Sequence, residues 1–231
     1  MDEKAYEAVK AYLDALLAGK PPAWEQLPDI SLYMDQVVSY LERQLGGLFA
    51  AEDERAITPS MINNYVKAKI VPRAESKKYN QEHIALLLSV FTLKRALSVQ
   101  DLGALLNGKP EAGSYREFYE LFRKALIECA ASTAEEIVAG LGIEKSESAL
   151  SGEAAEKMNS ANIDESKLRE LALKLAVEAS LRSLAAERLL AIAQSHELSS
   201  AQKLSGSQKP SSSRALSTAQ EPSGKREAKK G

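Results

Sequence analysis

The most informative stretch of the chain is Thr58-Pro59-Ser60-Met61-Ile62-Asn63-Asn64-Tyr65, because it specifies both how a helix begins and which side of it is buried. Thr58 supplies an N-cap hydroxyl, and Pro59 occupies the first helical position, where no backbone N–H is required. The apolar residues recur on one side, and the polar residues lie on the other side, at Ser60, Asn63, Asn64 and Lys67. We therefore predict a short amphipathic helix that ends near Lys69.

The segments on either side of this helix predict further helices and one small hairpin. Residues 70–79 contain Pro72 between the β-compatible ends Ile70-Val71 and Tyr79, which favours a hairpin or wing. Asn80 is suited to cap the next helix, and Ser98 followed by Asp101 marks another helix start. Upstream, an apolar stripe from Met34 to Leu45 stops at Gly46-Gly47.

The second half of the chain also reads as helical. Ser114 with Glu117 and Thr133 with Glu136 have capping-box spacing and predict two helix starts, and Cys129 falls on an apolar stripe that favours a core position. A long helix is predicted from Ile163 to about Leu198.

These patterns predict an all-α protein with a small β wing, organised in four segments. Residues 1–30 form an N-terminal helix and connecting loop, and residues 31–107 form a helix-turn-helix domain. Residues 113–198 form a helical segment for dimerisation or effector binding, and residues 199–231 form a disordered tail rich in serine and lysine.

Charge is distributed unevenly along the chain, although the net charge is only −2. Residues 58–80 carry five basic side chains against Glu75 alone, a net charge of +4, and residues 199–231 carry +5. The remainder is therefore strongly acidic. A basic island on an acidic body is typical of a surface that binds nucleic acid.

The order of motifs over about 50 residues resembles the DNA-binding domain of MerR-type regulators. In that family a recognition helix ending in tyrosine leads to a leucine-leucine-proline exit, a basic-aromatic wing and two further helices. The resemblance is carried by Ile62, Tyr65, Ile70, Val71, Pro72, Tyr79, Glu82, Ser98 and Leu102. It implies a winged helix-turn-helix with additional packing helices.

A second resemblance is carried by Leu27-Pro28-Asp29-Ile30 and by residues 32–37, Leu-Tyr-Met-Asp-Gln-Val. These flanking residues are similar to a bacterial family known only as a domain of unknown function. That family implies the same MerR-like helix-turn-helix and indicates no ligand, effector or DNA target.

The first functional hypothesis is a DNA-binding transcriptional regulator that acts as a homodimer on double-stranded DNA. Asparagine can pair with adenine edges in the major groove, and lysine and arginine bind phosphates. The predicted DNA-binding residues are Ser60, Asn63, Asn64, Lys67, Arg73, Lys77 and Lys78.

The second hypothesis is a non-catalytic protein-interaction module that keeps the helix-turn-helix fold without binding DNA. MerR-type proteins usually have arginine at the position of Asn63. Their short turn is replaced here by residues 46–57, which include the acidic Glu52-Asp53-Glu54. Acidic residues beside the recognition helix would repel DNA.

We expect no catalytic activity, cofactor or metal. The sequence has no Gly-rich phosphate loop or paired-histidine motif, and its single cysteine cannot form a disulfide. His83, near a helix start, is interpreted as a capping residue. The sequence has no long apolar span and no basic-then-apolar start, so we expect a cytoplasmic protein that is not bound to a membrane.

Overall fold

The computed structural model describes residues 3–46, 57–107, 114–143 and 165–206. These residues are mainly helical, as predicted, and form seven α-helices, one 3-10 turn and a two-stranded sheet. The chain divides into two compact units, residues 1–192 and residues 193–231. Of the second unit, the structure describes residues 193–206, the end of the last helix. No described helix has the length and apolar character needed to cross a membrane.

The elements follow one another in this order. The N-terminal helix α1 (Glu3–Ala18) is followed by a 3-10 turn (Trp24–Gln26), strand β1 (Leu32–Tyr33), and helices α2 (Met34–Leu45) and α3 (Pro59–Lys67). Strand β2 (Lys78–Tyr79) precedes α4 (Gln81–Leu93) and α5 (Val99–Asn107). The long helices α6 (Ser114–Leu141) and α7 (Glu165–Gly206) complete the described chain.

Helix α4 lies at the centre of the main hydrophobic core. Residues 83–91 are all buried, so the helix is covered on every side and not along one stripe, as an amphipathic helix would be. Helices α2, α3 and α6 pack around it with Leu41, Ile62 and Tyr119, each fully buried. The core also includes Leu27 and Phe122, so it extends beyond both ends of the predicted 31–107 domain.

The predicted helix starts at α3, α4 and α5 are confirmed by their caps. The Thr58 hydroxyl accepts the backbone N–H of Met61 at 3.3 Å, and the Asn80 side chain accepts that of His83 at 3.2 Å. The Ser98 hydroxyl accepts the Asp101 N–H at 3.2 Å. Each cap satisfies a donor that the helix itself leaves unpaired.

A smaller hydrophobic cluster joins the C-terminal half of α6 to α1 and α7. Ile137 and Leu141 of α6 pack with Leu171 of α7, and Tyr6, Val9 and Leu13 of α1 lie against them. Gly140 allows close approach here, because a Cβ at this position would lie 2.9 Å from Leu171 Cδ1.

Three predictions about the second half are wrong in detail. Thr133 does not start a helix, since α6 continues through it and has no glycine or proline within one turn of residue 133. Cys129 is exposed, because it lies between the main core, which ends at Leu126, and the smaller cluster. Helix α7 extends to Gly206, so residues 199–206 are helical; the rest of the predicted tail lies outside the described residues.

Candidate nucleic-acid interface

Helix α3 presents a polar face opposite its buried face. Ile62 is completely buried and Tyr65 is 8% exposed, with the Tyr65 ring in an edge-to-face contact with Phe91 of α4. The predicted contact residues Ser60, Asn63, Asn64 and Lys67 are all exposed. Their spacing of i, i+3, i+4 and i+7 places them in one stripe along the helix. This stripe offers hydroxyl, amide and ammonium groups that can donate hydrogen bonds, and amide oxygens that can accept them.

The end of α3 is fixed by a Schellman motif that the sequence did not predict. The N–H of Ile70 donates to the Tyr65 carbonyl at 3.0 Å, and that of Lys69 donates to the Val66 carbonyl at 3.1 Å. Lys69 adopts the left-handed conformation, with φ of 60°, at the position where glycine is preferred. Ile70 and Val71 are then buried in the core as loop residues and not as a strand.

Residues 75–78 form a tight hairpin, which lies within the predicted hairpin region 70–79. Glu75 and Lys78 exchange both backbone hydrogen bonds, at 3.0 and 2.8 Å, around Ser76 and Lys77. Both central residues have positive φ, 50° and 65°, as a type I′ turn requires. The exposed turn therefore carries the Lys77 ammonium outward at its tip.

Strand β1, which precedes α2, pairs with β2, the second strand of this hairpin. Leu32 pairs with Tyr79 and Tyr33 pairs with Lys78 in antiparallel register. The Lys78 Nζ lies 5.0 Å from the centre of the Tyr33 ring, so Lys78 is half-buried and is oriented by a cation–π contact. Burial raises the pKa of the Tyr79 hydroxyl.

His83 connects the hairpin to α4. Its imidazole is buried, with Nε2 3.2 Å from the Arg73 carbonyl and Nδ1 3.2 Å from the Asn80 backbone nitrogen. The imidazole therefore bridges the Arg73 carbonyl and the Asn80 N-cap, where Nδ1 also lies 2.5 Å from the Asn80 side-chain oxygen. His83 therefore caps α4, as predicted, and also fixes the backbone at Arg73, whose side chain is exposed.

The structure thus places the seven predicted contact residues on α3, on the loop that follows it and on the hairpin. It adds Lys69, which is exposed between them and belongs to the same basic stretch of sequence. The contact of Tyr33 with Lys78 could not be predicted from the sequence, because it depends on a strand pairing with a distant segment. Within residues 57–80 the only acidic side chain is Glu75. The acidic Glu52-Asp53-Glu54 lie outside the described residues.

A shallow groove of about 460 Å³ lies along β1 and the outer face of α2. Pro28, Ile30, Leu32 and Tyr40 supply apolar walls, and Asp35 and Arg43 add charge. Ile30 is 68% exposed at this site. Among the described residues, no group of three or more histidine, cysteine, aspartate or glutamate side chains could hold a metal ion.

Comparison with known families places these elements in one domain. Residues 22–122 match the family model described as "Domain of unknown function (DUF1836)". The predicted resemblance to a domain-of-unknown-function family is confirmed for this range, which contains α3, the hairpin and His83. The match brings no support for a MerR-like helix-turn-helix, which stays a prediction. Searches of curated proteins and of solved structures found no match for this chain.

Proposed function

We propose that this protein binds double-stranded DNA through α3 and the hairpin and acts as a transcriptional regulator in the bacterial cytoplasm. The observation that carries the proposal is the exposed i, i+3, i+4, i+7 stripe on α3, with two asparagines flanked by serine and lysine. Asparagine side chains can pair with adenine in the major groove, while Ser60 and Lys67 at the two ends would contact phosphates.

The hairpin supports the same function. Arg73 and Lys77 are exposed, and Lys78 is oriented on Tyr33, so three cations follow Lys69 within a short stretch of chain. The order β1, α2, α3, hairpin and α4, with β1 paired to the second hairpin strand, resembles the order of elements in winged helix proteins. The sequence resemblance favours a MerR-like arrangement of these elements on DNA.

Selection from a random duplex library with the full chain, followed by fluorescence anisotropy on the enriched duplex, tests the proposal. The triple variant Lys67→Ala, Arg73→Ala and Lys77→Ala should weaken binding by at least about 10-fold, because three phosphate contacts are removed. A matched triple variant at the exposed Lys10, Lys124 and Lys167 has the same charge change and should alter binding by less than about twofold. Wild-type protein that enriches no sequence and shows no salt-dependent binding would overturn the proposal.

The groove along β1 and α2 favours one alternative, a protein-interaction module. An exposed Ile30 beside Pro28 and Tyr40, with charges at Asp35 and Arg43, is the composition of a site for a short peptide segment. A comparison of the variants in cells tests this alternative. It is supported if Ile30→Asp changes the activity of the protein in cells and the triple basic variant does not.

A further inference from the structure

Helix α7 has apolar residues on two opposite faces within residues 168–190. One face packs against the rest of the chain through Leu171, Leu175, Ala186 and Leu190. At about 100° per residue, the other face contains Leu173, Val177, Leu181 and Leu184. We name these four residues the α7 stripe. Their exposed fractions are 66%, 50%, 61% and 61%, so nothing in the described chain covers them.

The two ends of the α7 stripe carry opposite charges, which would complement each other in a pair of antiparallel copies of this helix. Glu170 precedes the stripe and Arg188 follows it, on the same side of the helix, and both are exposed. The stripe is centred between residues 178 and 179, and Glu170 and Arg188 lie symmetrically about residue 179. Neither side chain forms an ion pair with any other described residue.

We propose that two copies of this chain pair their α7 helices in antiparallel orientation along this stripe. A two-fold axis near residue 179 places Glu170 of each copy against Arg188 of the other, which gives two equivalent ion pairs around eight apolar side chains. A parallel pair would instead place glutamate against glutamate and arginine against arginine. The contact is self-complementary, as a two-fold interface must be.

The residue beside the stripe suits close approach of a second helix. Ser180 is small, and its hydroxyl already donates to the Ala176 carbonyl at 2.9 Å, so burying it leaves no unpaired donor. The two longest segments of this chain outside the described residues are poor alternatives as occupants. Residues 144–164 and 207–231 contain only Leu150, Met158, Ile163 and Leu216 as large aliphatic side chains.

This inference goes beyond the proposed function and does not depend on DNA binding. Sedimentation equilibrium of the full chain without DNA, from about 1 to about 100 μM, should give a dimer. Leu181→Glu should raise the dimer Kd at least about 100-fold, because it buries a carboxylate in the centre of the contact. Circular dichroism should show unchanged helical content, since residue 181 is mostly exposed in the single chain.

Leu189→Glu is the matched control. Leu189 is 66% exposed on the same helix, but it lies about 120° around the helix from the middle of the α7 stripe. This variant introduces the same charge and should leave the dimer Kd within about threefold of wild type. The proposal would be overturned if the wild type were still a monomer at about 100 μM, the upper limit of the experiment. It would also be overturned if the two variants changed the dimer Kd equally.

Charge exchange tests the antiparallel orientation. Glu170→Arg alone and Arg188→Glu alone should each raise the Kd about 5-fold to 30-fold, because each creates two like-charge contacts. The double variant exchanges the partners and should return the Kd to within about threefold of wild type. Single variants without effect would contradict the antiparallel pair, because in a parallel pair they only replace one like-charge contact with another.

Discussion

The buried hydroxyl of Tyr119 donates a 2.9 Å hydrogen bond to the backbone carbonyl of Pro22, 97 residues earlier in the chain. The Arg123 Nε donates to the neighbouring Pro21 carbonyl, also at 2.9 Å, and the Trp24 N–H donates to the Glu120 carboxylate at 3.1 Å. Helix α6 therefore holds the segment before β1. These contacts join the two ends of residues 22–122, the range that matches the family model.

Tyr119→Phe should destabilise the protein by about 1–2 kcal/mol, because the Pro22 carbonyl loses its donor while it is partly buried. Urea denaturation measures the change. Tyr12→Phe is the control, since Tyr12 is 50% exposed, and it should change stability by less than about 0.5 kcal/mol. Equal stability of the two variants would show that the Tyr119 hydroxyl contributes nothing.

Stability should also fall at alkaline pH. Burial raises the pKa of Tyr119 strongly above its ordinary value of 10.0, and raises the pKa values of Tyr65 and Tyr79 in the same way. Because the unfolded chain ionises first, the stabilisation is complete below about pH 10 and is lost progressively as the pH rises further. Urea midpoints at about pH 9 and pH 11 measure it, and the decrease should be smaller in Tyr119→Phe. An unchanged midpoint would refute the expectation.

Lys69→Gly should stabilise the protein by about 0.5–1 kcal/mol, since glycine adopts the left-handed conformation of residue 69 without a steric cost. Lys67→Gly, two residues earlier and inside α3, removes the same charge. It should destabilise the protein by about 0.5–1 kcal/mol, because glycine is a poor helix former. Thermal unfolding of both variants measures the opposite signs. The same sign in both would mean that charge, and not backbone conformation, determines the effect.

The ion pair between Glu136 of α6 and Lys174 of α7, at 2.7 Å, should make the attachment of α7 sensitive to acid. The hydrogen bond from Lys174 lowers the pKa of Glu136 below its ordinary value of 4.5 and raises that of Lys174. The stabilisation is present above pH 4.5 and is lost as the pH falls through the lowered pKa of Glu136. The difference in unfolding temperature between wild type and Glu136→Gln should therefore vanish in acid.

Glu128→Gln provides the comparison for that pair. Glu128 also belongs to α6, but its contact with Lys124 is 3.9 Å long and exposed on both sides. The variant should match wild type at neutral and at acid pH. A pH-dependent difference in Glu128→Gln as large as that in Glu136→Gln would show a general charge effect.

Salt dependence should separate the roles of residues on α3 in DNA binding. Lys67→Ala should reduce the slope of log Kd against log salt by about 1, because one phosphate contact is lost. Asn63→Ala should leave that slope unchanged and reduce discrimination between preferred and altered duplexes by about 1–3 kcal/mol. Anisotropy titrations at several salt concentrations measure both quantities. If Asn63→Ala weakens all duplexes equally, residue 63 does not read sequence.

Several features of the candidate interface were predictable because their causes are local. Thr58, Asn80 and Ser98 each cap a donor three residues away, so the cap is visible in the sequence. The polar stripe of α3 follows from helical periodicity alone. The turn at Ser76-Lys77 was predictable only as a hairpin region, since neither residue is a preferred type for positive φ.

Other features were missed because they depend on distant partners. Cys129 has apolar spacing with Phe122, but no element among the described residues packs over it, so it is exposed. Thr133 has capping-box spacing with Glu136, yet Glu136 pairs with Lys174 of α7 and the helix continues. Tyr33 orients Lys78 only because β1 pairs with β2.

The sequence by itself determined the helical class, the starts of α3, α4 and α5, the polar face of α3 and the basic stretch from residue 58 to residue 80. Each depends on residues within one or two helical turns. Only the tertiary structure decided that α4 is covered on all sides, that Tyr119 secures Pro22, and that the α7 stripe is left exposed. Burial depends on which elements meet, and residues far apart in the chain supply the two sides of every such contact.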